Sequence, residues 1–489
     1  MADFGITRFG AYVPRLRIER SIIADAHKWM APGLKGQAKG SRAFTSWDED
    51  AVTMAVEAGR DCLDGGDTAV LQAIQIASTT FPYADLQHAA LVASALRLPD
   101  SIASSDVGQS QRAGTSGMLQ ALRVGQNALF IAADAPLGKP ASTQELSYGA
   151  GAAAFRLGSE NVIARLLGAA SVTQPFVDHF RASDAKYDYF WEERWVRDEG
   201  YAKIAPAAIK AALADAGVAI GEIAHFVMPS LQRGAADAVA KRIGFAGAVA
   251  PGLENGVGYA GTAHALLMLA NLLETSAPGE KILLVGFGQG ADALVLEVTG
   301  QAKPRRGVSG AVADGMATDS YLRMLSFADG IDLEWGMRAE KQVKSAHTEQ
   351  HRSQDQLGGM VAGKCGECGT IQFPQLPYCV APGCAAPQSQ FTPHTLVDDS
   401  VKVLTYTADW LSYYPAPPLY VGFAQFDNGA RVLMEIIDVG PAGLEIGTPL
   451  KLTYRIKDRD KARGHNRYFW KATPTQVGKT ATPISVAGE

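Results

Sequence analysis

The sequence has few cysteines and no long apolar run. None of its apolar stretches approaches the ~18 residues that a membrane-spanning helix needs, so it predicts no transmembrane segment. The opening residues, MADFGITRFG, lack the basic and apolar regions of a secretory signal, and we therefore expect a cytoplasmic protein. Positive charge is not in excess, since the net charge is −5, and this argues against nucleic acid or an anionic membrane as a partner.

The cysteines are placed unevenly. Cys62 stands alone, whereas the other four lie close together, at Cys365, Cys368, Cys379 and Cys384. A disulfide framework would not leave the long interval after Cys62 empty, so metal binding is the better interpretation. A Cys-x2-Cys pair and a Cys-x4-Cys pair on two turns are typical of a closed, four-thiolate Zn²⁺ site. Because such a site has no open coordination position, we expect the zinc to be structural.

Strand-like and helix-like segments alternate from FGITRFGAYV at 4–13 to ALVLEV at 293–298. This alternation predicts a layered α/β fold. The order of elements repeats, which divides this part into two similar halves, 1–167 and 168–345, the second ending in a helical stretch at 317–345.

The character of the chain then changes. A ribbon built around the four cysteines is predicted at 356–390. Strand patterns follow, such as LYVGFAQFD at 419–427 and RVLMEII at 431–437, separated by turns rich in Gly, Asp and Pro. They predict a small β-barrel, such as an OB-fold, over 391–485, and the last residues are expected to form a frayed tail.

Residues 104–123 combine a polar turn, a hinge of small residues at 113–117 and an apolar helix face. An elbow of this kind aims one side chain into a cleft from a helix N-terminus, where free backbone N–H groups stabilise negative charge. The segment resembles the nucleophile elbow of the thiolase superfamily, and in particular of its 3-hydroxy-3-methylglutaryl-CoA (HMG-CoA) synthase branch. The family pattern is Cys-Lys-Ala-Gly-Thr, whereas this chain has Gln-Arg-Ala-Gly-Thr, with Gln111 in place of the cysteine.

The resemblance implies the duplicated, five-layered thiolase fold (αβαβα) over roughly residues 4–340, and a homodimer, because this fold pairs its sheets across a two-fold axis. The C-terminal part resembles the rubredoxin-like ribbon and OB-fold domain that accompanies thiolase-like enzymes. In its family that domain lies beside the thiolase active site and helps to enclose an acyl-CoA. The resemblance therefore implies a coenzyme A thioester as substrate.

The catalytic groups of HMG-CoA synthases are replaced in this chain. By motif, the family's glutamate falls at Thr79, its histidine at Val227 and its asparagine at Val257. Without a thiolate at position 111 no acyl-enzyme can form, so ping-pong acyl transfer is excluded at this site.

One hypothesis is that the site binds an acyl-CoA and makes or breaks a carbon–carbon bond by an aldol-type step, without covalent attachment. Thiolase-fold proteins that lack the cysteine and pair with the same ribbon and OB-fold partner are retro-aldol lyases, so the resemblance favours this route. Gln111 and one base are then the candidate catalytic groups, the base being Tyr259, Asp106 or His264. The thioester would be bound at the elbow and at the glycine turn of the second half, by Ser110, Gly114, Gly258 and Gly261.

Two other hypotheses remain open. Glutamine at the nucleophile position resembles decarboxylating ketosynthases, in which the amide binds a thioester carbonyl while a malonyl group loses CO₂. Alternatively, the chain is a non-catalytic scaffold that binds a separate thiolase. Each candidate residue also has a purely structural interpretation, with Asp106 as a helix cap, His264 as a satisfied helix histidine, Tyr259 in packing and Gln111 bonded to backbone.

Overall fold

The computed structural model describes residues 4–247 and 249–475 and divides the chain into two compact units. One unit runs to Ala93 and continues over Leu98–Gly330, and the other comprises Ser94–Arg97 and the chain from Ile331. Within the described residues, no helix is both long enough and apolar enough to cross a bilayer.

The first half of the larger unit alternates strands and helices as the sequence predicts. Its elements are β1 (Gly5–Tyr12), β2 (Leu16–Glu19), α1 (Arg20–His27), β3 (Ser41–Ala43), α2 (Ala51–Leu63), β4 (Ala73–Ala77), α3 (His88–Ala95), β5 (Ala103–Val107), α4 (Ala113–Val124), β6 (Ala128–Asp134), α5 (Thr143–Ser147) and β7 (Gly151–Gly158).

The second half follows the same order after an insertion. Its elements are β8 (Ala164–Thr173), the short hairpin β9 (His179–Phe180) and β10 (Tyr189–Phe190), α6 (Glu193–Trp195), a π-helix (Val196–Ile204), α7 (Ala205–Ala216), β11 (His225–Val227), α8 (Ala235–Arg242), α9 (His264–Leu273), β12 (Lys281–Phe287), β13 (Gly290–Val298), α10 (Gly307–Ala313), β14 (Met316–Thr318) and α11 (Tyr321–Phe327).

The strand order confirms the predicted duplication. The strands form one nine-stranded array in the order β11-β12-β13-β8-β1-β7-β6-β4-β5. From β1 outward the order is β1-β7-β6-β4-β5, with two antiparallel pairs followed by parallel pairs. From β8 outward it is β8-β13-β12-β11, with the same directions. A parallel bridge between Phe226 and Val249 stands where the second half would have a fifth strand.

The position of each helix in the layers depends on how much of its surface is apolar. α9, HALLMLANLL, is buried almost throughout, and its Leu267 shares one core cluster with Met118 of α4, Phe130 of β6 and Leu284 of β12. α4 and α9 therefore lie between the strands of the two halves, while α2 and α7 cover the outer faces. The result is the αβαβα layering expected for the thiolase fold, and the predicted fold class is confirmed.

The helical stretch predicted at 317–345 is too long. Only α11 is α-helical there, and it ends before Asp329, which has a positive φ of 50°, and Gly330. A left-handed residue followed by glycine breaks the helical hydrogen-bond ladder, which explains the early end.

The smaller unit contains a ribbon and a barrel. Its elements are α12 (His347–Arg352), α13 (Gln354–Leu357), β15 (Val361–Cys365), β16 (Ile371–Gln372), β17 (Phe391–Thr395), β18 (Val401–Asp409), β19 (Leu419–Phe426), β20 (Arg431–Ile436), β21 (Pro449–Asp460) and β22 (His465–Pro474). β16, β15 and β17 form the ribbon sheet, and the last five strands close into a barrel in the order β18-β19-β20-β22-β21. The predicted small barrel is therefore present, although residues 476–485 of its predicted range lie outside the described residues.

Candidate functional site

The elbow between β5 and α4 is held against the end of β12. Ser110 Oγ donates to the carbonyl of Gly288 at 3.0 Å, and Arg112 Nε donates to the same oxygen at 2.9 Å. A Cβ at Gly288 would lie 3.2 Å from the Cβ of Gln111, and a Cβ at Gly286 would lie 2.1 Å from Thr115 Oγ1. At the end of β12, Gly286 and Gly288 therefore allow close packing on the elbow.

Gln111 faces a histidine that the inserted hairpin supplies. Its Nε2 lies 3.2 Å from Nε2 of His179, and Nδ1 of His179 lies 2.8 Å from a carboxylate oxygen of Asp178. Because the carboxylate accepts from Nδ1–H, Nε2 of the neutral ring accepts from the amide of Gln111. The amide oxygen of Gln111 is buried and has no hydrogen-bond partner among the described residues. At the position of the family's cysteine, this chain thus has an amide next to a His–Asp dyad. The amide nitrogen is hydrogen-bonded and the amide oxygen has no partner among the described residues.

The surroundings of His179 make it a stronger base than an ordinary histidine. Burial lowers the pKa of the ring, but the hydrogen bond and the charge of Asp178, helped by the charge of Asp188, outweigh this and raise the pKa overall. His179 therefore binds a proton more tightly than an ordinary histidine does.

A row of rings leads from the dyad to Tyr259. The ring of Phe190 lies 5.4 Å from that of His179 and 6.2 Å from that of Tyr148, and Tyr148 stacks on Tyr259 at 6.3 Å. The hydroxyl of Tyr148 donates to Asp188 at 2.6 Å. Burial, and then the charges of nearby groups including Asp178 and Asp188, raise the pKa of Tyr259 well above its usual range. Its phenol therefore stays protonated and can donate a proton.

Asp134 joins two segments of the site by hydrogen bonds. Its carboxylate is fully buried and accepts from Thr79 Oγ1 at 2.7 Å and from the backbone N–H of Thr262 at 2.9 Å. Thr262 Oγ1 in turn accepts from the backbone N–H of Gly114 at 2.7 Å. A buried carboxylate thus connects the loop after β4, where the family's glutamate would lie, to the start of α4.

Two of the predicted bases have structural roles. Asp106 accepts from the backbone N–H groups of His88 and Ala89, at 2.8 Å each, and from the His88 ring at 2.9 Å, so it caps α3. His264 is buried between the carbonyl of Gly252 and the N–H of Ala260. Both side chains thus have internal hydrogen-bond partners, and the assignment of either as the base stays a prediction.

The predicted thioester-binding positions are also occupied by internal partners. Ser110 donates to Gly288, Gly114 donates to Thr262, and the N–H of Gly258 donates to the carbonyl of Leu253. A Cβ at Gly261 would lie 2.2 Å from a carboxylate oxygen of Asp134. The backbone N–H groups of Gly114 and Gly258 are thus used internally, and close packing requires a glycine at position 261.

Sequence reasoning missed the residues that matter most here. Asp178, His179 and Asp188 come from the insertion at 174–204, which matches no motif of the resemblance. One signal was present: the segment DHFRASDAKYDYFW at 178–191 concentrates aromatic residues, carboxylates and a histidine between the two halves. Such a composition is more typical of a site than of a solvent-exposed linker.

The four-cysteine cluster has the geometry of a metal site. The sulfurs of Cys365 and Cys384 lie 3.8 Å apart, those of Cys368 and Cys379 lie 3.5 Å apart, and all four lie within 4.8 Å of one another. A tetrahedral ion with Zn–S bonds of about 2.3 Å requires an S···S edge of about 3.8 Å. The donor set therefore fits Zn²⁺.

Comparison with known proteins supports the same assignment as the fold. Residues 213–298 match the family model described as 3-oxoacyl-[acyl-carrier-protein] synthase III C terminal. The hydroxymethylglutaryl-CoA synthase of Caldivirga maquilingensis is 30% identical over 312 residues, which cover 61% of this chain and 88% of that protein. The enzyme of the same name from Methanocella arvoryzae is 29% identical over 337 residues, covering 66% of this chain and 96% of that protein.

Solved structures with a similar fold come from the same group of enzymes. MvaS in complex with 3-hydroxy-3-methylglutaryl coenzyme A superposes with a TM-score of 0.56 at 18% identity, covering 66% of this chain and 91% of that one. The 3-oxoacyl-(acyl carrier protein) synthase III of Pseudomonas aeruginosa superposes with a TM-score of 0.54 at 18% identity, covering 62% of this chain and all of that one. With the duplicated fold and the elbow, these findings show that the chain belongs to the hydroxymethylglutaryl-CoA synthase family of the thiolase superfamily.

Proposed function

We propose that this protein binds an acyl-CoA and makes or breaks a carbon–carbon bond by aldol-type chemistry, with no covalent acyl-enzyme. The observation that carries the proposal is the replacement of the nucleophile by Gln111 and the placement of the His179–Asp178 dyad against it. An amide cannot take up an acyl group as a thiolate does, whereas a His–Asp pair is suited to proton transfer. Family membership supplies the acyl-CoA as substrate class.

In the cleavage direction, Nε2 of His179 takes the proton of a 3-hydroxyl group. The Cα–Cβ bond then breaks, the 3-carbon leaves as a carbonyl compound, and the electron pair moves onto the thioester oxygen as an enolate. The enolate takes a proton at Cα and leaves as a shorter acyl-CoA. Condensation is the same sequence reversed. Asp178 is a positioning residue, because its bond to Nδ1 keeps Nε2 free to act as the base.

Two further groups have roles in this scheme. The amide N–H of Gln111, released from His179 when the substrate binds, donates to the thioester oxygen and stabilises the enolate. The phenol of Tyr259, kept protonated by its raised pKa, supplies the proton to Cα and then regains one from the protonated His179 through solvent, which returns both groups to their starting states. The unpartnered amide oxygen of Gln111 is then available to accept from a substrate hydroxyl or from protonated His179.

The negative charge of Asp178 makes the decarboxylase hypothesis less favourable than the aldol hypothesis. A malonyl carboxylate held next to Gln111 would face Asp178, and like charges repel at short range. The scaffold hypothesis does not account for a half-buried dyad and an unsatisfied buried amide oxygen, because both carry a free-energy cost without benefit in a purely structural protein.

Turnover of 3-hydroxyacyl-CoA thioesters by the purified full-length chain tests the proposal. A carbonyl product and a shorter acyl-CoA should appear, and His179→Gln should slow the formation of both by about 10²–10⁴ while leaving the fold intact. His225→Gln is a matched control, since His225 lies in β11 and pairs with Glu280 at 3.0 Å. CO₂ release from malonyl-CoA without cleavage of hydroxyacyl thioesters would instead select the decarboxylase. Inertness toward all thioesters with copurification of a thiolase would select the scaffold.

The remaining assignments are proposals supported by the fold. We propose that Zn²⁺ is held by the four cysteines, where it would stabilise the ribbon, and that the closed barrel is an OB-fold, since β20 and β22 pair in parallel. We also propose a homodimer formed through β5, because this strand ends the nine-stranded array and leaves one edge unpaired within the described residues.

A further inference from the structure

A cavity in the larger unit opens beside the first half of β1 and the end of α2. It has a volume of about 290 Å³, and its lining includes Arg8, Asp61, Cys62, Asp64 and Lys303. A water molecule needs about 10–15 Å³ by the same measure, so the cavity has room for about twenty water-sized groups. This is the size of a small organic molecule rather than of a single ion.

The cavity lies outside the group of residues that forms the candidate functional site. Arg8 lies four residues before Tyr12 in β1. Tyr12 pairs with Ala152, and the preceding residue of β7, Gly151, pairs with Asp134 of the candidate site. At about 3.3 Å per residue, the level of Arg8 is about 13 Å along the sheet from that of Tyr12. An inference about this cavity therefore does not rest on the proposed function.

Two arginines lie side by side at the cavity. Arg8 in β1 stands directly opposite Arg156 in the antiparallel strand β7. A Cβ at Gly66 would lie 3.4 Å from Nη1 of each, so the two guanidinium groups are close together just after the end of α2. Burial raises the pKa of the Cys62 thiol to about 12, and the charges of both arginines oppose this shift in part, so both lie near this lining residue. Like charges at directly opposed positions of a sheet are destabilising, and an anion between them would offset that cost.

The cations at the cavity have donors to spare. Nη1 of Arg8 donates to the carbonyl of Leu63, the last residue of α2, at 2.9 Å, whereas its Nε and Nη2 donate to no described atom. Lys303 is exposed, and its ammonium group has no partner in the part of the chain that the structure describes. Arg156 forms no ion pair with a described carboxylate either. Three positive charges therefore meet here without counter-charges of their own.

Two carboxylates line the same cavity, but neither is paired with these cations. Asp61 is 5% exposed and accepts from the backbone N–H groups of Ala11 at 2.8 Å, Arg306 at 2.7 Å and Gly307 at 3.0 Å. These bonds use both of its oxygens. Asp64 is exposed at the C-cap of α2 and forms no ion pair with the three cations. Positive charge is thus in excess at the cavity.

We propose that this cavity binds a sugar phosphate, with the phosphate held by Arg8 and Lys303 next to the charge of Arg156. The Nε and Nη2 groups form one edge of the Arg8 guanidinium, and such an edge matches two oxygens of a phosphate. The volume beyond the phosphate accommodates an organic part. The side-chain amides of Asn161 and Gln301 in the lining provide donors and acceptors for its hydroxyl groups.

Calorimetric titration of the full-length chain with ribose 5-phosphate and with glucose 6-phosphate, at constant ionic strength in chloride, tests this. At least one of the two should bind once per chain, and the sugar without its phosphate should bind at least about tenfold more weakly, as a charge-assisted hydrogen bond implies. Lys303→Gln and Arg8→Gln should each weaken binding by about tenfold or more. Asp64→Asn should strengthen it, because a negative charge is removed and asparagine tolerates the left-handed conformation of this residue, whose φ is 42°.

Lys210→Gln is the matched control, because Lys210 is exposed on α7 and does not line the cavity. Its affinity should equal that of the unaltered chain. Binding of neither sugar phosphate by the unaltered chain overturns the inference and requires no variant to fold. Inorganic phosphate that binds as tightly as the sugar phosphates overturns the assignment of an organic ligand. Full affinity in both Lys303→Gln and Arg8→Gln overturns the location. None of these outcomes affects the proposed acyl-CoA chemistry.

Discussion

Replacing Asp178 with asparagine should shift the pH dependence of turnover to lower pH. In the native chain His179 works as a base only when neutral, so the rate rises as pH rises through its pKa, which Asp178 holds above the ordinary value of about 6.5. In Asp178→Asn the hydrogen bond to a charge and the charge itself are lost, while the burial that lowers the pKa remains. The midpoint of the pH–rate profile must therefore fall.

The size of the shift follows from the bond that is removed. A hydrogen bond to a charged group contributes about 1.5–3 kcal/mol, and about 1.4 kcal/mol corresponds to a tenfold change in a proton equilibrium. The midpoint should therefore move down by about one to two pH units. The plateau rate should also fall, because the weaker base is no longer oriented, although by less than the loss of about 10²–10⁴ expected for His179→Gln.

The assay is kcat/KM for cleavage of a 3-hydroxyacyl-CoA, measured from about pH 5 to pH 9 so as to bracket the histidine pKa. Asp184→Asn is the matched control, since Asp184 lies in the same hairpin but is exposed. Its profile should coincide with that of the native chain. A midpoint in Asp178→Asn that stays in place or moves upward refutes the assignment of His179 as the base.

Other perturbations test the fold and the metal. Asp134→Ala leaves the donors on Thr79 and Thr262 without their buried acceptor, and the free energy of unfolding, measured in urea, should fall by about 3 kcal/mol or more, with partial recovery in Asp134→Asn. Leu267→Ala opens a cavity between the two halves and should cost about 2–5 kcal/mol, whereas Leu322→Ala, at a side chain 63% exposed, should cost less than about 0.5 kcal/mol. Elemental analysis should find one zinc per chain, and its removal by a chelator should make the ribbon susceptible to protease. Retention of the metal in Cys365→Ser would contradict the four-thiolate site.

Much of the larger unit was predictable because its elements obey simple periodicities. α7 has an alanine-rich buried face at Ala205, Ala208 and Ala212, which the helical spacing of these residues indicates. β6 is buried along its whole length, as the uninterrupted apolar run ALFIAAD indicates. Buried parallel strands and amphipathic helices leave such patterns in a sequence, because each position has one environment.

Other features depended on contacts that a linear pattern does not contain. The sequence SWDE at 46–49 has the pattern of a capping box, but the capping box of α2 is formed by Asp50 and Thr53, about one turn later. β22 contains Lys471, which is 1% exposed and lies 2.9 Å from Glu435. The buried face of β22 is therefore not uniformly apolar, and the sequence pattern of the strand is weaker. In both cases a local hydrogen bond or a distant ion pair decides the structure.

The candidate site depends even more on contacts that the linear sequence does not contain. The elbow was recognisable because its small residues are required by close packing on β12, and this also located Gln111. The dyad was not recognisable, since His179 reaches Gln111 only through the hairpin inserted before α7. Asp106, one of the candidate bases, caps α3. A replaced nucleophile is thus visible in the sequence, whereas the groups that accompany its replacement are visible only in three dimensions.

In the proposed reaction, chemistry at Gln111 proceeds on a free thioester. Intact-protein mass spectrometry during turnover of a 3-hydroxyacyl-CoA is the decisive test. We expect the carbonyl product to accumulate while the chain keeps its unmodified mass at every time point. A transient species heavier by one acyl group, formed and consumed at the rate of turnover, would contradict it.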